Sequence, residues 1–483
     1  MANQTERRPD TTQPSRSRRY NRQTAAHVEA RRDGKPLIFG YGGHLTKTQK
    51  TQLQRLAIWV FIGLITLGVI GVFIGFWVNF SIVIPNLPIA NVNGQNIPQS
   101  DFRKLVAVNG QLEANKIKGK NGLLAQESTA KQQVTTDQNN VTTAQNKVND
   151  LNKQLKAAPT NSSQHSALQS QLTTAQQQLT TAQDQLKSAQ NTVNSLTQQE
   201  QLEETLYTQE QMATQSAQWL QEDLTIRNWL KQQSSAVQNK VNPSSSAVTS
   251  AMNDLKAHLP SSTSYQQFLS SSNISDGDAQ AAMTLIVRRN NMQSYLTQQI
   301  TSPTRQVQVR SITFSTQKDA NSVLKQLQGG ADFATLAKAK SVDNNTKQQG
   351  GELGWLAPGQ YMLNDGSNLG AVVDKWISDP SRKAGQLSPV LSENGTWHVL
   401  QIENVDPAHT ISASNLKALK NNALTYWIAL QKASGTTFSS PDTNKMFDPS
   451  NLPSWIPASA PVATGTATGA GTVPGTGTTG TGQ

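Results

Sequence analysis

The chain has 483 residues and a net charge of +11, with 35% hydrophobic and only 6% aromatic residues. It contains no cysteine, which excludes disulfides and thiolate chemistry, and its six histidines (27, 44, 165, 258, 398 and 409) show no zinc-ligand spacing. Long tracts rich in Gln, Ser, Thr and Asn cannot form dense core and read as extended helix or solvated polymer.

The charge is unevenly placed. Residues 1–55 hold twelve Lys or Arg against four acidic residues, so most of the excess lies in one basic tail. From Leu56 to Val78 the sequence runs for 23 residues without a charge, roughly 34 Å of helix, enough for a bilayer core. Trp59 and Trp77 stand near its two ends, where amphipathic rings favour the interface. A buried core helix would carry a polar side over six turns, and a cleaved signal would be shorter and followed by a small-residue site. The reading adopted is an uncleaved transmembrane helix over 56–78. Lys47, Lys50 and Arg55 crowd one flank, while the next charge on the other side is Asp101. The positive-inside rule then expects residues 1–55 in the cytoplasm and everything after Val78 outside the cell membrane. Orienting charge and lipid contact account for the basic tail, so no nucleic-acid partner is inferred.

Beyond the membrane segment, Ile89–Ile97 predicts two short strands around an Asn93-Gly94 turn, followed by a helix carrying Phe102 and Leu105. Residues 124–206 are different material. Leu168, Leu172, Ala175, Leu179, Ala182, Leu186, Ala189, Val193 and Leu196 alternate in steps of four and three. Val134, Val141, Ala144, Val148, Leu151 and Leu155 precede them, with a Pro159-containing break between the two sets. This predicts an antiparallel coiled-coil hairpin, two separately packed surface helices being the alternative. Residues 207–303 predict compact amphipathic helices, and 411–434 one more. Pro453–Gln483 is Gly/Thr/Ala/Pro repeat, and the whole of 435–483 is expected to be a disordered low-complexity tail.

Residues 304–407 alternate strand and helix. Val307–Phe314 reads as a strand, and helices follow around Val323 and Leu327 and around Phe333 and Leu336. Then come Gly330-Ala-Asp-Phe-Ala-Thr-Leu-Ala337, Ser341-Val-Asp343, Gly350-Gly-Glu-Leu-Gly-Trp355, Gly385-Gln-Leu-Ser-Pro-Val390 and the closing strand Trp397–Ile402. Five motifs in this order resemble the parvulin family of peptidyl-prolyl isomerases, in its SurA/PrsA-like extracytoplasmic branch. The flanking pieces, 88–123, 207–303 and 411–434, resemble a SurA-N-like chaperone domain, with 124–206 as an insertion.

The resemblance implies an α+β, FKBP-like isomerase domain on a helical chaperone domain. Leu353 and Tyr361 would line the proline pocket. Asp343 would lie beside the twisting amide, and His398 would sit in a polar network behind it, with Ser392 as hydroxyl partner. Taken without the resemblance, Asp343 reads as a turn-capping residue and His398 as a hydrogen-bonded core histidine. The family's first-strand histidine is replaced by Ser311, whose hydroxyl lacks the reach and the two opposed polar ends of an imidazole. No cofactor and no metal are implied, and the expected partners are unfolded exported polypeptides with Xaa-Pro bonds. Two other readings stand beside the foldase: a non-catalytic peptide-binding chaperone, favoured by Ser311, and an envelope structural protein built on the coiled coil.

Overall fold

The computed structural model describes residues 47–365 and 370–460. Residues 1–46 of the basic tail and 461–483 of the low-complexity tail therefore lie outside the described residues. Two units are present, one ending at Val83 and the other beginning at Ile84.

The first unit contains helix α1 (Lys47–Val78), which widens into a π-helical turn at Asn79–Val83. Leu56, Trp59, Phe61, Leu67, Val72, Phe73 and Trp77 are all exposed on it, so apolar side chains point in every direction. Among the described residues it is the one helix long and apolar enough to cross a membrane.

The second unit is mostly helical. It opens with the hairpin β1 (Pro88–Val92) and β2 (Gln95–Pro98), turned by Asn93 and Gly94, both at positive φ. Helix α2 (Gln99–Lys118) buries Phe102, Leu105, Val106 and Ile117. It stops at Gly119, where a Cβ would lie 2.3 Å from the Asn115 carbonyl oxygen. The next two helices, α3 (Leu123–Ala157) and α4 (Ser163–Leu206), are joined by a short turn in which the Ser162 hydroxyl accepts from His165 N–H. Thr197 bonds Glu127 and Lys147 bonds Gln178, so the two helices run antiparallel as an arm.

Helices α5 (Gln209–Leu230), α6 (Ser235–Val241), α7 (Ser245–Ala257), α8 (Tyr265–Ser272) and α9 (Asp276–Gln299) complete a helical body around α2. Capping boxes at Ser264/Gln267 and Ser275/Asp278 start α8 and α9. Glu222 and Asp223 are buried on α5, and Arg289 and Arg288 of α9 neutralise them.

The chain then enters a four-stranded antiparallel sheet of order β4-β3-β6-β5: β3 (Thr304–Phe314), β4 (Glu352–Leu356), β5 (Leu391–Glu393) and β6 (Thr396–His409). Helices α10 (Gln317–Gln328) and α11 (Phe333–Lys340) cover one side, packing Val323, Leu327 and Phe333 on Ile312, Phe314 and Val399. The other side joins Val307, Val309, Leu400 and Ile402 to Leu356 and to Val373, Trp376 and Ile377 of helix α13 (Ala371–Ile377). Helix α12 (Gln360–Asp365) lies between β4 and α13 in sequence.

The structure corrects two expectations. The helix anticipated over 411–434 is two helices, α14 (Ala413–Asn421) and α15 (Ala423–Ala433). The Gln293 side chain enters the break, donating to Lys420 O and accepting from Leu424 N–H, and so replaces hydrogen bonds that a continuous helix would make. The disorder expected from residue 435 does not hold for 436–460. Phe438 forms a bridge to Val92, Ser439 and Asp442 N–H groups bond Asn91 and Ile89 carbonyls, and Ile456 is 1% exposed. Ile456 fills a notch left by Gly110, whose Cβ would sit 2.5 Å from Ile456 Cδ1. Phe438, Met446, Leu452, Trp455 and Ile456 supply apolar anchors that the repeat further on lacks.

Candidate active site

Alternation along β3 and β6 decides which side chains meet. Ser311 and Thr313 point to the same side of β3, opposite Leu400 and His398 of β6. That is the side covered by α13, onto which Leu353, Tyr361 and Leu391 also pack, half-buried. Ser311, Thr313, His398, Leu353 and Tyr361 thus share one side of the sheet.

His398 is 8% exposed and is held between two hydroxyls, Thr313 Oγ1 at 3.3 Å from Nδ1 and Thr396 Oγ1 at 2.9 Å from Nε2. The Thr396 hydroxyl donates to Glu393 O at 2.8 Å, so it offers His398 a lone pair. This assigns the proton of the neutral imidazole to Nε2 and leaves Nδ1 to accept from Thr313. Both threonines escaped the sequence reading. Their signal was present, since Thr396 stands two residues before His398 and Thr313 two after Ser311, each in phase with the buried side of its strand.

Ser392, expected as a hydroxyl partner of this network, takes no part in it, and Ser311 stands apart from it. Ser392 pairs with Trp397 and is exposed, because alternation turns it away from the side that Leu391 faces. Ser311 is buried, and its Oγ has no hydrogen-bond partner among the described residues. Its cross-strand neighbour is Leu400, two pairs along the strands from His398. A buried serine not singled out from sequence, Ser388, spends its hydroxyl accepting from Leu400 N–H at 2.8 Å.

Asp343 caps the turn that follows α11. Its carboxylate accepts from Asn345 N–H at 2.9 Å and from Thr346 Oγ1 at 2.5 Å. The turn is pinned to the site strand by Ser341, whose buried hydroxyl accepts from Thr313 N–H and Asp343 N–H, both at 3.2 Å. Val342 N–H adds a bond to Thr313 O. The Ser-Val-Asp motif therefore sets Asp343 beside the strand position that carries Thr313.

The paired glycines have a steric cause. Gly351 has φ +82°, a Cβ there would lie 2.3 Å from the Ser311 carbonyl oxygen, and Ser311 N–H donates to the Gly351 carbonyl oxygen at 2.8 Å. This close approach ties β4, and Leu353 on it, to the strand carrying Ser311.

The wall carrying Tyr361 is fixed by a buried carboxyl that sequence reading overlooked. Asp374 is fully buried on α13 and accepts from Gly359 N–H at 2.8 Å, while its Oδ1 has no hydrogen-bond partner among the described residues. Burial pushes its pKa up to about 7, against the opposing pull of the Gly359 and Tyr361 N–H groups. The ring of Tyr426 on α15 lies against Gly359, so the same loop also meets the helical body.

Residues 304–404 match the family model described as Rotamase, the PPIC-type PPIASE domain. Chaperone SurA of Xylella fastidiosa is 34% identical over 76 residues, 16% of this chain and 14% of that protein. Periplasmic chaperone PpiD of Escherichia coli is 28% identical over 127 residues, 25% of this chain and 19% of that one. The solved parvulin domain of Escherichia coli PpiD is 25% identical and covers 22% of this chain and 93% of that structure, with a TM-score of 0.17. The chain thus matches less than a fifth of the length of these curated relatives. Sheet, motif order and family match together define a parvulin-type peptidyl-prolyl isomerase domain. Over that domain the chain is similar to the SurA and PpiD chaperones.

Proposed function

We propose that the chain is a membrane-anchored extracytoplasmic foldase that isomerises Xaa-Pro bonds in exported polypeptides and holds those polypeptides while they fold. The observation that carries the catalytic half is His398, clamped between Thr313 and Thr396 on the sheet side where Leu353 and Tyr361 also pack. Prolyl isomerisation breaks no covalent bond and must lower a rotational barrier of about 20 kcal/mol. Leu353 and Tyr361 grip the proline ring and exclude water, which disfavours the polar planar amide relative to its twisted form. His398 and Asp343 orient the polar surroundings of that amide. No nucleophile is needed.

The anchor is the apolar helix with Lys47, Lys50 and Arg55 before it, an order that favours a cytoplasmic N-terminus and an extracytoplasmic remainder. In this reading α3 and α4 form a coiled-coil hairpin inserted into a SurA-N-like chaperone domain, made of β1, β2, α2, the α5–α9 helices and the 411–434 helices. One observation favours a second reading, a peptide-binding cradle without catalysis. Ser311 stands where a parvulin carries histidine, and its buried hydroxyl bonds nothing among the described residues.

A protease-free isomerisation assay on a proline tetrapeptide, run with the full chain, separates the two. Acceleration that falls about tenfold in His398→Ala supports the foldase. Binding of proline peptides without acceleration, together with activity gained in Ser311→His, identifies the cradle.

A further inference from the structure

Where the arm leaves the helical body, α2, α3, α4, α5, α7 and α9 enclose a cleft of about 970 Å³, the upper end of the range for ligand pockets. Leu112, Trp219, Leu255 and Ile286 line it, and Leu202 of α4, 61% exposed, forms its rim. The Trp219 ring is held under the Arg289 guanidinium at 4.6 Å, and that cation is itself paired with Glu222. None of these residues belongs to the isomerase domain.

The cleft also contains an unsatisfied acceptor. Glu113 is 6% exposed, and Lys116 Nζ binds its Oε2 at 2.7 Å, while Oε1 is buried without a hydrogen-bond partner. From the arm, the carboxyl of Glu203 is within hydrogen-bonding reach of Glu113: protonated Glu113 donates to it, and once Glu113 ionises two acceptors face each other. Two carboxylates in contact, one of them buried, call for a donor between them. The other buried carboxylates of the body, Glu222 and Asp223, already have their arginines. The remaining ionisable groups of the cleft are engaged elsewhere: Asp254 of α7 meets the ring of His258, just beyond that helix, at 3.1 Å, and Arg289 of α9 is on Glu222. Tyr207, which follows α4, is buried and lies near Glu113.

We propose that this cleft binds an extended segment of unfolded polypeptide carrying a Lys or Arg side chain next to a large apolar one. The cation lies between Glu113 and Glu203, and the apolar side chain packs on Trp219, Leu202 and Ile286. The proposal rests on the reading that the chain holds unfolded polypeptides, and it names the chemistry selected. Burial and the neighbouring Glu203 push the Glu113 carboxyl up to about 7, so the ionised, cation-binding form gains population as pH rises from 6 to 8.

The test uses the full chain in nanodiscs of zwitterionic phosphatidylcholine, with anisotropy of a short fluorescent peptide containing a Trp-Lys pair. Replacing the peptide's lysine by glutamine is expected to weaken binding about tenfold at pH 8, the size of one charge-assisted hydrogen bond. This preference shrinks at pH 6. Glu113→Gln abolishes both the preference and its pH dependence, whereas His258→Gln keeps them. Leu202→Ser, at an exposed position, weakens both peptides. Equal affinity for the two peptides at pH 8, or a preference that survives in folded Glu113→Gln, overturns the proposal even where the wild-type chain binds peptides and isomerises the tetrapeptide. If wild type binds neither peptide and isomerises nothing, the foldase reading fails with it.

Discussion

The four-stranded sheet and the long arm are held together in different ways. The sheet is covered on both sides, and its apolar side chains alternate between two clusters that tolerate no change of phase. The arm has helices of 35 and 44 residues, yet its apolar cluster contains five buried side chains: Val148, Leu151, Leu168, Leu172 and Ala175. Apart from Thr197, which reaches across to Glu127, its threonines return hydroxyl bonds to their own helix, as Thr173 does to Gln169 O. Close backbone approaches fix single positions in the sheet, whereas in the arm many positions are equivalent. A substitution is therefore expected to cost much in one region and little in the other.

The largest effect expected is at Gly351. Gly351→Val places a Cβ against the Ser311 carbonyl and forces a branched residue to positive φ, at a cost of about 3 kcal/mol or more. Thermal unfolding of the full chain should show early loss of the isomerase domain together with its activity. An unchanged melting profile would mean that β4 is not tied to β3 as described.

Next in size is a pH effect at Asp374. Its folded-state pKa, raised to about 7, exceeds the ordinary Asp value, so between about pH 4 and 7 the folded chain binds more protons than the unfolded one. Stability contributed here is full below about pH 4, falls as pH rises through that window, and levels off above about 7. The total is on the order of a few kcal/mol. Asp374→Asn should flatten the slope, read by denaturant midpoints from pH 5 to 8. A slope that persists assigns the titration to another group.

Smaller again is the imidazole clamp. His398→Ala is expected to slow tetrapeptide isomerisation about tenfold, equal to about 1.4 kcal/mol in the barrier. Thr396→Val should slow it less, because Thr313 still holds Nδ1. Chemical-shift measurement of the ring nitrogens checks the cause: the Nε2 proton assignment should be lost in Thr396→Val and kept in Ser392→Ala. Equal effects of the two substitutions would remove Thr396 from the site.

The smallest change is expected from removing the arm. Joining Gly122 to Glu203 by a short Gly/Ser linker should leave the tetrapeptide rate within about twofold, a difference of only a few tenths of a kcal/mol. A collapse of that rate would make the arm a support of the isomerase sheet and erase the contrast between the two regions.

What could be read without coordinates was whatever local spacing dictates. An uninterrupted apolar run, two sets of heptads around a Pro-containing break, and five motifs between Gly330 and Ile402 each depend on neighbours in sequence. The motifs were enough to identify the parvulin domain. Contacts between distant segments could not be read in this way. Ser392 was matched by motif, but its facing depends on how β5 pairs with β6, and that pairing turned it outward. Thr313 and Thr396 became the partners of His398 because strand register brought their hydroxyls to its two nitrogens. Asp374 has no motif, and its buried carboxyl acquires meaning only where Gly359 and Tyr426 close over it. The break between α14 and α15, filled by Gln293, and the seat of Ile456 over Gly110 likewise join residues more than a hundred positions apart. Local periodicity fixes which way a side chain points along its own element. The three-dimensional packing decides what it meets.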